Sequence, residues 1–231
     1  MRNVPGNDRV NRRRLLAGGL AVVGAAALGV GKSGPAAAAT QPRLPLTARA
    51  TEGPYYLGAA LVRADITEGV KGVPLELRLR VLDEDAATLA GLRVDVWHCD
   101  SQGNYSGFDD RGDAQGRTRR YLRGTQSTDS AGNVAFRTIY PGWYSGRTTH
   151  IHFKVLEGSR ALLTSQLFLP DAISQFLYAK RPEYRRKAAR DTLNSNDGIS
   201  LAAGSSLAAA VRELGDSYTA SLDIVVARTA A

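Results

Sequence analysis

From Leu75 to Val81 the chain alternates without a break: Leu75, Leu77, Leu79 and Val81 are apolar, and Glu76, Arg78 and Arg80 between them are charged. Side chains two apart on a strand share a face, so this period specifies a strand with one face in a core and the other in water. Similar short strands are predicted at Leu92–Cys99, Val134–Ile139, His150–Leu156 and Leu162–Leu169, divided by turn strings such as Asp129-Ser130-Ala131-Gly132-Asn133. The last, Tyr218–Val226, sets Tyr218, Ala220, Leu222, Ile224 and Val226 on one face. Short strands, Gly-rich turns and few helical stretches predict a mainly β chain, an antiparallel β-sandwich with long loops and one or two short helices. Asp171 is placed to cap a helix running to about Lys180, ended by Pro182, and Ser205 or Ser206 to cap Leu207–Leu214, with Gly215 as its stop. The connection from Ser101 to Asn133 is too long for a plain hairpin, and Tyr105 lies at its start.

The first thirty-nine residues read as an address. Asn11-Arg12-Arg13-Arg14-Leu15-Leu16 precedes a run of Ala, Gly, Leu and Val to Val30, and Ala36 to Ala39 offer small residues for cleavage. This predicts a twin-arginine export signal over 1–39 and one domain over 40–231, with the protein carried out by the twin-arginine machinery to the cell envelope or beyond. The apolar stretch is short and diluted by Gly and Ala, which makes a retained membrane span the weaker reading. The leader also holds much of the charge. Six basic residues and Asp8 give it a net +5, leaving +3 of the chain's +8 for the rest. No basic patch interleaved with aromatics remains, so no nucleic-acid partner is expected, and Arg117, Arg119, Arg120 and Arg123 read as the solvated face of one loop. Cys99 is the only cysteine, which rules out an internal disulfide and a thiolate metal cluster.

His150 and His152 stand one residue apart in Arg147-Thr148-Thr149-His150-Ile151-His152-Phe153-Lys154-Val155. On a strand they share a face, about 6.6 Å apart along the chain, and both imidazoles can converge on one ion. Ile151, Phe153 and Val155 make the opposite face, which suits a core. Tyr105 and Tyr144 each lie in a Gly-rich turn. A phenol ionises only near pH 10, so tyrosine becomes an anionic ligand at neutral pH only beside a strongly Lewis-acidic ion. Hard anionic oxygen donors favour ferric over ferrous iron, and two imidazoles would complete a four-ligand site. Zinc or copper on His150 and His152 alone stays open.

TEGPYY (51–56), GLRVDVWHCDSQGNYSGF (91–108), RGTQSTD (123–129), RTIYPGWYSGRTTHIHFKV (137–155) and TSQLF (164–168) together resemble the intradiol ring-cleavage dioxygenases, in particular their exported, single-domain bacterial members. The resemblance implies a β-sandwich enzyme with non-haem Fe(III) that uses O2 to open catechol-type rings between the two hydroxyl-bearing carbons, giving muconate-type diacids. It implies Tyr105, Tyr144, His150 and His152 as metal ligands, with Tyr144 the one that leaves when substrate chelates and helps take up a substrate proton. Arg147 matches an arginine beside the substrate ring, Gln166 a glutamine on the oxygen side, and Tyr55 a string bordering the substrate pocket. Two departures matter. Only about ten residues separate the cleavage site from Thr51, so the helical dimerisation segment of the catechol branch is not expected, and the short Ser145-Gly146 turn predicts a more open site that accepts several catechols.

Other readings of the same residues set the comparison. His98 is expected to be structural, because four ligand positions are already filled. Tyr140, the rival to Tyr144, is expected to pack beside a strand end, with Trp143 as an apolar wall of the turn. Arg111-Gly112-Asp113 reads as chance in a polar loop. A cupin-like metalloenzyme would use His150, His152 and Glu157 but needs a third histidine downstream, and the chain has none after His152. A metal-free secreted β-sandwich binding module leaves Tyr105, Tyr144 and Arg147 unexplained.

Overall fold

The computed structural model describes residues 43–58, 61–108 and 117–227. The expected export signal and the Arg111-Gly112-Asp113 string lie outside them. Within the described residues two four-stranded sheets face each other. Strands β1 (Pro74–Leu82), β2 (Arg93–Trp97), β3 (Arg123–Ser127), β4 (Asn133–Ile139), β5 (His150–Glu157) and β6 (Arg160–Phe168) are followed by helix α1 (Asp171–Lys180), helix α2 (Gly198–Ala203), and strands β7 (Ala210–Leu214) and β8 (Ser217–Val225). One sheet runs β4-β1-β8-β7 and the other β3-β2-β5-β6.

The period of two in β1 does what it predicts: Leu75, Leu77, Leu79 and Val81 are at most 1% exposed. They pack with Phe136, Ala220 and Ile224 of their own sheet against Val94, Val96, Ile151, Phe153 and Val155 of the other. Each large side chain buried this way contributes roughly 1.5–3 kcal/mol, which makes the facing sheets the main source of stability. Since Ile151, Phe153 and Val155 are all fully buried in that core, the alternate residues His150 and His152 must point away from it. They meet a second, aromatic cluster of Trp97, Cys99 and Tyr105, with Tyr55, Tyr56, Phe108 and Tyr144 against it.

Four details differ from expectation. The sheets are antiparallel except where β8 runs parallel to β1, from Leu75 opposite Tyr218 to Leu82 opposite Val225. Alternation is blind to strand direction, and only the long return of the chain sets it. The connection from Ser101 to Asn133 contains β3, whose Arg-Gly-Thr-Gln-Ser sequence has no apolar alternation and is recruited by pairing with β2. The helix expected over Leu207–Leu214 is not formed. A short 3₁₀ turn occupies Gly204–Leu207 and residues 210–214 are β7, paired with β8, a case of tertiary pairing overriding local propensity. The first helix spans Asp171–Lys180 as expected, but Pro170 is its N-cap residue and the Asp171 carboxylate instead accepts from Arg190 at 2.9 Å and from the Asn194 N–H at 3.0 Å.

Candidate metal centre

Strand β5 lies between β2 and β6, so both its edges are hydrogen-bonded and its side chains start from a fixed backbone. His150 and His152 are each 2% exposed, and their Nε2 atoms are 3.2 Å apart. The His150 Nδ1–H donates to the Thr148 carbonyl at 2.6 Å. A carbonyl can only accept, which leaves the lone pair of this imidazole on Nε2. The Tyr144 hydroxyl donates to that same Nε2 at 3.1 Å. His152 stacks on Trp97, ring centres 4.9 Å apart and planes within 11°.

Tyr105 completes the group from the opposite loop. Its ring is edge-on to Tyr144 at 5.9 Å and to His152 at 6.2 Å, and Tyr55 stacks on its outer face at 4.3 Å. Among the described residues neither its buried hydroxyl nor His152 Nδ1 has a hydrogen-bond partner of good geometry. Leaving a buried polar group unpaired costs about 1–3 kcal/mol, so this is a cluster built for something it must bind. Burial dominates the electrostatics. It pushes His150 down to about 3 and His152 well below the usual imidazole range, and it raises Tyr144 to about 12 and Tyr105 well above the usual phenol range. Without a cation all four are neutral, two of them with nitrogen lone pairs ready to coordinate. Among the described residues no three His, Cys, Asp or Glu side chains gather to hold a metal, and the oxygen donors beside the two imidazoles are the phenols of Tyr105 and Tyr144. That donor set suits ferric iron.

Arg147 sits three residues before His150 and is held from two sides. Its Nε–H donates to Asp197 Oδ2 at 2.9 Å and its Nη2 to Gln166 Oε1 at 2.5 Å. Gln166 is opposite His152 in the β5/β6 register and donates through Nε2 to the Thr51 carbonyl at 2.8 Å. The structure thus brings Tyr55, Tyr105, Tyr144, Arg147, His150, His152 and Gln166 together.

Comparison with known proteins identifies the family. The family model described as Dioxygenase matches residues 51–205, more than half of the chain. The chain belongs to the intradiol ring-cleavage dioxygenase family. It is 31% identical over 163 residues to catechol 1,2-dioxygenase 1 of Acinetobacter lwoffii, covering 59% of this chain and 51% of that one. It is 32% identical over 178 residues to the protocatechuate 3,4-dioxygenase beta chain of Burkholderia cepacia, 68% of this chain and 74% of that one. Among solved structures, an intradiol ring-cleavage dioxygenase from Tetranychus urticae superposes with a TM-score of 0.74 at 29% identity, covering 81% of this chain and 96% of that one. The chain spans about half the length of the catechol relatives it matches.

Two supports of this dioxygenase-family site escape a reading of the sequence. Arg123, expected on a solvated loop face, is 4% exposed. Its Nη2 donates to the Ser106 carbonyl at 2.7 Å, its Nε to Ser106 Oγ at 3.0 Å, and its Nη1 to the Tyr55 carbonyl at 2.5 Å. It therefore ties the Tyr105 turn to the Tyr55 segment, at an electrostatic cost: desolvation brings its pKa down to about 10. Nothing local separates it from Arg117 and Arg119, which are exposed. Asp197 caps α2 by accepting from the Ile199 and Ser200 N–H groups at 2.8 and 3.1 Å, and also accepts from Arg147 and from the Thr148 N–H. Burial works to raise its pKa, but the hydrogen bonds from Thr148 and Arg147 outweigh that and hold it below the ordinary carboxylate range. An Asp-Gly pair ahead of Ile-Ser-Leu is a readable cap signal; its link to Arg147, fifty positions away, is not.

The remaining residues fall as expected. His98 is fully buried, its Nδ1–H donating to the Cys99 carbonyl at 2.8 Å and its Nε2 accepting from the Thr138 hydroxyl at 2.7 Å. Both nitrogens are thus engaged by other partners. Tyr140 is buried, its hydroxyl 2.8 Å from Ser174 Oγ, and Trp143 is buried under the Arg186 guanidinium, 4.0 Å from its ring centre. Cys99 is buried, with burial pushing its thiol up.

Proposed function

We propose that this chain is a non-haem iron(III) dioxygenase that opens a catechol-type ring between its two hydroxyl-bearing carbons and serves the breakdown of aromatic compounds. The observation that carries the reading is the convergence of Tyr105, Tyr144, His150 and His152 in one buried cluster with Arg147 beside it. When bound there, ferric iron would supply the Lewis acidity that ionises the phenols and the catechol hydroxyls. The protein's own groups do the rest. Burial keeps both imidazoles unprotonated and available, and the Thr148 carbonyl and Trp97 fix their planes. Tyr105 is sealed in place. Tyr144 is only half-buried, on an exposed Ser145-Gly146 turn, which makes it the phenol able to swing away and accept a proton from the incoming hydroxyl. Arg147 places a fixed cation where negative charge develops on the ring carbon that O2 attacks. Both atoms of O2 end in the two new carboxyl groups, so the reaction balances with no nicotinamide or flavin.

Export by the twin-arginine route belongs to the same proposal, supported by the Arg12-Arg13 string and the apolar run after it. The cupin-like and metal-free readings find less support, since His98 turns to Thr138 and the buried Tyr105 hydroxyl has no role in either.

The test is iron loading followed by oxygen uptake against catechol, protocatechuate, hydroxyquinol and lignin-derived catechols. The loaded protein is expected to be wine red from phenolate-to-iron charge transfer and to consume one O2 per ring, giving a diacid cut between the hydroxylated carbons. A colourless, fully loaded protein, or extradiol products, refutes the proposal.

A further inference from the structure

We propose that Asp197, presented by α2, is the positioning residue that aims Arg147 at the substrate. The proposal rests on the assignment of Arg147 to the reaction. The Asp197 side chain is 1% exposed and that of Arg147 18%. Its two oxygens divide their work: Oδ1 accepts from Ile199 N–H and Ser200 N–H in the first turn of α2, while Oδ2 accepts from Arg147 Nε and Thr148 N–H, each at 2.9 Å. Because Oδ1 is fixed to α2, Oδ2 has one position, and the guanidinium hung on it has one orientation. The Nη2 then meets Gln166 Oε1, which the Thr51 carbonyl fixes in turn.

Helix capping alone does not account for this residue. A cap needs one side-chain oxygen, which Ser or Thr supplies without charge. A buried carboxylate costs several kcal/mol unless it is paired, and here the second oxygen and the charge both go to the Arg147-Thr148 segment. Arg147 lies on the same turn as Gly146, where the backbone takes φ +81° and a Cβ would touch nothing. A long side chain rooted there would otherwise sample many rotamers, whereas a charge that stabilises a reacting carbon must hold its place to a fraction of an ångström.

The experiment uses Asp197→Ser, which keeps a capping hydroxyl but withdraws the acceptor from Arg147. In the iron-loaded protein the red colour and iron content are expected to stay, the melting temperature to fall by only a few degrees, and kcat to drop about ten- to a hundredfold. In an Arg147→Ala background the same substitution is expected to change kcat less than about threefold, because the two act as one unit. Independent losses that multiply would overturn the proposal in favour of a structural role. If Arg147→Ala leaves turnover intact, the assignment of Arg147 falls, and this proposal with it. A second readout needs neither iron nor turnover: the Arg147 Nε–H NMR signal of the iron-free protein, identified by its absence in Arg147→Ala. It is expected to exchange slowly in the unaltered chain and quickly in Asp197→Ser. Exchange in the unaltered chain as fast as that of solvent-exposed arginines overturns the proposal even where the variant fails to fold.

Discussion

Tyr105 and Tyr144 are the same side chain in two settings. Tyr105 is 2% exposed under the stacked ring of Tyr55, while Tyr144 rests its hydroxyl on His150 from a half-open turn. Tyr105→Phe removes a phenol that nothing else in the cluster replaces. Its iron-loaded form is expected to show a weakened or shifted visible band and to lose iron more readily, whereas Arg147→Ala should keep both band and iron and lose roughly a hundredfold in turnover. Absorbance, iron content and oxygen uptake on the two variants check this, and full activity in the second removes Arg147 from the mechanism. His98 allows a separate test at the same scale. Its pKa is lowered by burial from the ordinary 6.5 to about 4. The unfolded chain therefore binds a proton that the folded chain refuses between those values. The stability it contributes is complete above pH 6.5 and is lost as pH falls towards 4, on the order of 3 kcal/mol. The melting temperature of the iron-free protein is expected to drop across that window, and to drop less in His98→Gln.

At the scale of elements, two turns interlock. Gly103 has φ +85°, and a Cβ there would lie 2.2 Å from the Trp143 carbonyl oxygen; one on Gly142 would lie 2.5 Å from the Ser101 carbonyl. The Tyr105 turn and the Tyr144 turn thus touch backbone to backbone through glycines, which is how two loops forty residues apart set a phenol pair. Gly103→Ala is expected to cost upwards of ~2 kcal/mol, since it adds a clash to a conformation that alanine adopts poorly. It should also release iron, measured by thermal melting and by metal retention on dialysis. A Gly103→Ala protein that holds iron normally would show the turns to be more yielding than this packing implies. The elements themselves were unequally legible. β1 and β5 announce themselves because their periods match their burial, while β3 lacks apolar residues, and β7 reads as a helix until β8 pairs with it.

At the scale of the whole molecule, the centre exists only once the chain is nearly complete. Its donors lie between residues 105 and 152, Arg147 is held from Asp197, and β8 must insert between β1 and β7 to finish the second sheet. On the proposed twin-arginine route, which moves folded proteins, a site assembled so late is expected to take up the proposed iron before export. Replacing Arg12 and Arg13 together by lysine is expected to leave folded, iron-loaded protein inside the cell, detected by fractionation; unchanged release would end the twin-arginine reading. The sequence by itself determined the β-sandwich, the histidine pair on one strand face and the kinds of side chain at the centre, two imidazoles and two phenols, because each is a matter of period, spacing or side-chain chemistry within a short stretch. Tertiary structure alone decided that β8 runs parallel to β1, that Arg123 is buried beneath the Tyr105 turn, and that Asp197 holds Arg147. Those outcomes depend on which distant segment arrives beside which. No local pattern encodes that, since direction, burial of one arginine among several, and the second oxygen of a helix cap are settled by partners tens to more than a hundred residues away.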